Sequence, residues 1–154
     1  MRLKTGFFSF TCCEGCIVVF LEALNKKYDN WMKKMSIENM RQLKANEKIG
    51  KLDIAFIEGA ISTKSEIRKL KEIRKKSKKL VALGSGAVNG YPSNQRNGFS
   101  QEKKDKIREL VKKFHQIEKI SPIKDFVKVD DNIDGCPVPE DLLIEKIDCY
   151  LKNA

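Results

Sequence analysis

Histidine is almost absent from this chain: His115 stands alone among 154 residues. It has no carboxylate pattern beside it, so a helix-end or surface role fits better than a Cys–His nucleophilic pair. Long apolar runs are missing as well. None approaches the roughly 20 residues of a membrane-spanning helix, which excludes one. There is no "GK[ST]", and the glycines of "GSGAVNG" do not follow the dinucleotide fingerprint, so a nucleotide cradle is not indicated. No zinc-finger spacing or RNA-binding aromatic signature occurs either. Acidic residues are in the minority, 21 against 31 Lys and Arg, for a formal charge of +10. Much of that excess lies in "TKSEIRKLKEIRKKSKK", where Ile67, Leu70 and Ile73 recur at helical spacing and the cations fill the other faces. A solvated helix face explains it without specific nucleic-acid binding. Attraction to an acidic partner stays open.

What is present is the material of one domain spanning residues 1–154. The hydrophobic fraction is 41%, and no linker, repeat or composition break divides the chain. The apolar stretch after Met1 and Arg2 is short and lacks a small-residue cleavage site; it reads as a first strand, Leu3 to Phe10, with no signal peptide.

Short β-rich runs alternate with longer amphipathic segments, which predicts an α/β fold around a mostly parallel, doubly wound sheet. "EGCIVVFLEALNKKY" reads as a helix with Ile17, Phe20, Leu21 and Leu24 on its apolar side. Trp31 to Lys44 holds a short strand or a second helix. Asp53 to Ile57 is a buried strand ending at "EGAIST", where Ser62 or Thr63 caps a helix running to about Lys76. A strand from Leu80 to Leu83 enters a long loop rich in Gly, Asn and Ser. A helix follows from Gln101 to about Lys119, capped by Ser100, with Ile107, Leu110, Val111 and Phe114 inward. Phe126 to Val129 supplies a last short strand, and Leu142 to Leu151 a closing helix. In that helix Cys149 is expected to be buried as a small hydrophobe.

Five cysteines, an odd number with three of them in "TCCEGC", do not form a secreted disulfide framework. Clustered thiols point to metal or redox chemistry in a reducing, cytoplasmic compartment. In a parallel sheet the loops leaving the carboxyl ends of the strands share one edge. "TCCEGC", "EGAIST", "GSGAVNGYPSNQRN" and "DGCPVPED" all follow predicted strands, so Cys136 can meet Cys12, Cys13 and Cys16. Cys13 and Cys16 are three apart at a helix start, where backbone N–H groups favour thiolates. Gly135 lets the backbone approach closely beside Cys136, and Pro137 fixes the chain after it. Four thiolates suit zinc or an iron–sulfur cluster. A cluster of three at one end and a single "GCP" at the other is unlike paired zinc knuckles, and favours iron–sulfur.

"CEGC", "IEGAI", "ALGSGAVNGYPSNQRN" and "DGCPVPED", in that order, resemble the cluster-binding domain of nickel–iron hydrogenase small subunits. They are similar also to the related 20-kilodalton subunit of NADH:quinone oxidoreductase. The resemblance runs from Leu3 to the final helix. It implies a flavodoxin-like domain carrying a proximal 4Fe-4S cluster that exchanges electrons with a catalytic large subunit docked over the cluster edge. The chain would then be a non-catalytic electron-transfer subunit, possessing one cluster rather than the several of larger relatives. Cys13 and Cys16 match the family's first ligand pair, Cys136 its last ligand, and Glu58 an acidic residue near the cluster. Glu58 could alternatively cap the helix at its own loop. Gly59, Gly84, Gly86 and Gly135 allow close backbone approach to the cofactor.

One position departs from the pattern. The family's "GxCA" cysteine is Gly86 here, within "GSGA". Either Cys12 fills the vacancy, or the fourth iron takes a non-cysteine ligand or water, or no intact cluster is held. The rival reading is a structural zinc-binding or cluster-free interaction module of basic charge. Arg96 and Asn97 either pin their loop or face a partner.

Overall fold

The computed structural model describes residues 2–43 and 48–152. Five strands form one parallel sheet: β1 (Leu3–Ser9), β2 (Met35–Asn39), β3 (Leu52–Glu58), β5 (Ser77–Leu83) and β7 (Asp131–Ile133), in the order β2-β1-β3-β5-β7. Between β3 and β5 the chain adds β4 (Ile61–Thr63), and between β5 and β7 it adds β6 (Gln116–Ser121); these two pair antiparallel as a separate ribbon. The helices are α1 (Gly15–Lys34), α2 (Lys64–Lys76), α3 (Gly84–Asn89), α4 (Gln101–Lys113) and α5 (Glu140–Lys152). No helix among the described residues is long and apolar enough to cross a membrane.

Alternation along the central strands sends side chains into two cores. Phe7 and Phe56 stack at 4.7 Å on one face, where they meet Ile17, Phe20 and Trp31 of α1 and Leu143 and Ile147 of α5. Phe8 and Ile57 point the other way, into a core with Leu70 and Ile73 of α2, Ala87 of α3 and Ile123. Both faces of the sheet are thus covered, and β3, with both faces packed, is apolar except for Asp53 and Glu58 near its two ends. The doubly wound α/β architecture expected from the sequence is present. Because β2 lies on one side of β1 and β3 on the other, the winding reverses between β1 and β3. Crevices for ligands open at the carboxyl edge beside such a reversal.

Several predicted elements differ. The ambiguous stretch from Trp31 becomes the last turn of α1 and then β2; Lys44 lies outside the described residues. The Gly-rich loop holds α3 and a 3-10 turn, Ser93–Gly98. The fourth helix ends at Lys113, not Lys119, because His115 turns the chain with a positive φ of 51° and β6 takes over. None of its residues is buried: Leu110 and Phe114, expected inside, are 54% and 60% exposed. Phe126 and Val129 form no strand but pack loosely on the second core, and β7 comes later, at Asp131–Ile133. The Asp130 carboxylate takes the Leu80 N–H at 2.8 Å, starting the β5–β7 pairing with a side chain. Cys149 is exposed rather than buried; Ile147, Tyr150 and Leu151 are the α5 residues that turn inward.

Candidate metal centre

The loops leaving β1, β3, β5 and β7 meet at the reversal. The first two are stitched together by the backbone: Ala60 donates to the Thr11 carbonyl (3.0 Å), and Thr11 N–H donates to the Ala60 carbonyl (3.1 Å). Gly59 sits under this bridge with φ of +94°, and a Cβ there would lie 2.9 Å from the Thr11 oxygen and 3.0 Å from Cys12 Cβ. Only glycine fits, so Cys12 is held directly over the β3 loop. The other two loops are joined as well. Ser85 donates its N–H to the Gly135 carbonyl (2.8 Å) and its hydroxyl to Asp134 (2.7 Å).

α1 brings the two pairs together. Its N-cap, Glu14, is in the left-handed region and supplies no side-chain cap of its own; that carboxylate is ion-paired with Arg41 instead. The orphan N–H groups of the first turn are served by Glu58, whose Oε1 accepts from Cys16 N at 3.1 Å. Glu58 therefore caps the helix after β1, not the helix after its own loop, correcting one of its two expected roles. The helix after its own loop is capped by Thr63, which forms a reciprocal capping box with Glu66.

Glu66 is the residue that sequence reasoning missed. Its carboxylate accepts the N–H groups of Ser62 (2.7 Å) and Thr63 (2.9 Å) and the Thr11 hydroxyl (3.0 Å). One carboxylate thus fixes both the start of α2 and the loop carrying Cys12 and Cys13. The spacing T-x-x-E from Thr63 was the available signal; the link to Thr11 had none. Arg96 and Asn97 pin their loop. Asn97 both donates to and accepts from the Ile120 backbone, at 2.7 and 2.9 Å, and Arg96 donates to the Ile117 carbonyl.

The four edge cysteines sit in different surroundings. Cys13 and Cys136 are exposed, Cys12 is half-buried, and Cys16 is buried at the head of α1. A Cβ on Gly84, whose φ is +81°, would come within 2.5 Å of Cys16 Sγ, and one on Gly15 within 3.4 Å of Cys13 Sγ and 3.7 Å of Pro137 Cβ. The Cys13 sulfur thus lies beside the β7 loop that bears Cys136, and the Cys16 sulfur beneath the β5 turn. Burial pushes the Cys16 thiol up to about 12, against a hydrogen bond from the Val138 N–H, with the Glu58 charge adding to the rise. Burial, then Glu58, pushes Cys12 up to about 11. Glu58 itself is raised by burial, which outweighs the N–H groups of Cys16 and Ile17. Its second oxygen, Oε2, is buried without a hydrogen-bond partner.

A Cβ at Gly86, where the resemblance places a cysteine, would approach Gly59 Cα at 3.1 Å, a close fit that asks the β3 loop to give by a few tenths of an ångström. Among the described residues, no three His, Cys, Asp or Glu side chains converge on a point where one metal ion could be held. A polynuclear cluster is held by sulfurs spread around its corners, one to each iron. Four thiols on two adjoining loops, flanked by glycine backbone and by an unpaired buried carboxylate oxygen, fit that donor chemistry in kind.

Known proteins resemble this chain in sequence and in fold. A family profile described as "NADH ubiquinone oxidoreductase, 20 Kd subunit" matches residues 13–150. The sulfhydrogenase 2 subunit delta of Pyrococcus furiosus is 28% identical over 142 residues, covering 88% of this chain and 56% of its own. The coenzyme F420 hydrogenase subunit gamma of Methanosarcina barkeri is 28% identical over 147 residues, covering 92% and 51%. The chain therefore spans about half the length of these relatives. In structure it superposes on a chain of an NAD+-reducing [NiFe]-hydrogenase with a TM-score of 0.86 at 23% identity, covering 99% of this chain and 93% of that one. A [NiFeSe] hydrogenase chain from Desulfovibrio vulgaris Hildenborough gives 0.71 at 17% identity, with 99% and 60% covered.

Proposed function

Because the chain belongs to the family of the NADH ubiquinone oxidoreductase 20 Kd subunit, we propose that it is the electron-transfer small subunit of a nickel–iron hydrogenase-like complex. It is a single domain, working in a reducing, cytoplasmic compartment, that holds one proximal 4Fe-4S cluster and docks its carboxyl edge on a catalytic large subunit. The ligands are Cys13, Cys16 and Cys136, with Cys12 in place of the cysteine that Gly86 replaces. The cluster supplies one-electron exchange when bound. The protein's own residues hold and tune it: Val138 N–H reaches the Cys16 sulfur, Glu58 fixes the first turn of α1, and Gly59, Gly84 and Gly135 keep Cβ atoms out of the crevice.

The observation that carries this reading is the meeting of four strand-end loops at the sheet reversal, with all of the chain's cysteines but Cys149 on two of them. Anaerobic reconstitution with iron and sulfide tests it. The protein is expected to turn brown and to bind iron and sulfide in about equal amounts, as a cubane requires. Cys13→Ala, Cys136→Ala and Cys12→Ala should each lower the cluster content, while Cys149→Ala leaves it unchanged. A spectrum unaltered by Cys12→Ala would remove Cys12 from the ligand set. Colourless protein that takes up zinc would overturn the cluster altogether in favour of a zinc module, and protein that takes up neither would be a cluster-free scaffold.

A further inference from the structure

Among the described residues, α4 is the one helix of eight residues or more that buries none of its side chains. Its apolar stripe is real, but only half of it is covered. Ile107 and Val111 rest half-buried above β6, while Leu110 and Phe114 on the same stripe face solvent, 54% and 60% exposed. An amphipathic helix of 13 residues whose apolar side meets mainly water is unstable alone and gains from a partner.

Alongside α4 runs an open groove of about 790 Å3, with Ile107 and Val111 in its lining. Five cations line it, Arg96, Lys104, Arg108, Lys112 and Lys119, against one carboxylate, Glu118. Glu102 and Asp105 on the outer surface of α4 are already paired with Lys106 and Arg108. Lys104, Lys112 and Lys119 have no ion pair among the described residues. Arg96 Nε is buried and lacks a hydrogen-bond partner.

We propose that this groove docks an acidic amphipathic helix of a partner polypeptide, its apolar side on Ile107 and Val111 and its carboxylates on the lysines. Three features select that occupant. The lining is aliphatic as well as cationic, which suits side chains better than a phosphate backbone. The positive strip is narrow, because α4 carries Glu102, Asp105 and Glu109 within its own sequence, and a long nucleic acid would run over them. Addition of a strand is hindered, since Asn97 occupies both backbone groups of Ile120 and Arg96 the carbonyl of Ile117. Docking through side chains, helix in groove, is what remains. The groove shares no residue with the cysteine loops, and the inference is independent of whether those loops hold a cluster.

Fluorescence anisotropy with the full chain tests it. The probe is a labelled helix-forming peptide of about 14 residues, matching the roughly 20 Å length of α4, with leucines on one face and glutamates flanking them. Its scrambled version, a single-stranded RNA and inorganic pyrophosphate serve as competitors. The patterned peptide is expected to bind at least about tenfold more tightly than the scrambled one. Ile107→Ala with Val111→Ala should weaken it by about tenfold. Lys104→Glu with Lys112→Glu and Lys119→Glu should do the same, with a deficit that shrinks as salt rises. The three lysines are exposed and the two apolar positions half-buried, and unchanged circular dichroism verifies that the variants fold. Equal binding of the two peptides, no binding of either, or displacement by RNA or pyrophosphate with the apolar variant unaffected would each overturn the proposal.

Discussion

Gly84 shows how much of the candidate centre rests on absent side chains. Its φ of +81° is one that L residues rarely adopt, and the place a methyl group would occupy is 2.5 Å from Cys16 Sγ. Gly84→Ala is expected to cost roughly 2–4 kcal/mol in a denaturant titration, by strain and overlap together. It should also make the Cys16 thiol more reactive to a small alkylating reagent, as the turn lifts away from it. Glu66 is the complementary case, a residue important for what it holds. Thr63→Ala removes one cap and should cost about 1 kcal/mol. Glu66→Ala releases Ser62, Thr63 and Thr11 together, and should cost about 2 kcal/mol. Only the second should loosen the loop of Cys12 and Cys13, read as faster hydrogen exchange there.

At the level of elements, the apolar strands were legible and the polar ones were not. β1, β3 and β5 announce themselves by apolar runs that two packed faces require, and α2 by its stripe and T-x-x-E start. β6, "QIEKIS", carries two charged residues in six, because it belongs to a ribbon open to water and shows no buried alternation. β7 is three residues long, and its register is set partly by Asp130 accepting from Leu80; no local pattern encodes a pairing made by a side chain fifty positions away. α4 was legible as a helix and misread as a buried one. Periodicity reports that one side of a helix is apolar, and is silent on what covers it.

β7 also carries an electrostatic dependence. Burial would raise the Asp131 carboxyl, but hydrogen bonds from the Tyr150 hydroxyl (2.8 Å), the Asn132 N–H and Lys146 hold it below its ordinary 3.8. A carboxylate lowered on folding contributes stability above its unfolded value, and that contribution is lost as pH falls through the folded one. Asp131→Asn is therefore expected to cost about 1 kcal/mol at pH 7. The difference should vanish well below pH 3.8, as thermal melts at neutral and acid pH can verify.

Over the whole molecule, the location of the candidate centre was readable before any coordinate, because strand-end loops of a parallel sheet share an edge whatever their separation in sequence. Its interior was not. That Glu58 caps α1, that Gly86 packs closely on Gly59 and that Glu66 anchors Thr11 depend on which loops touch, and chain order does not state this. The backbone bridge between Thr11 and Ala60 and the Ser85–Gly135 bond divide the edge into two stitched halves, joined across Cys16. One half carries Cys12 and Cys13, and the other depends on β7, far later in the sequence. A ribosome must therefore release the chain through β7 before the two halves can close on each other. Until then Cys12 and Cys13 stand without the second half beside them, which makes timely folding itself a form of protection for them.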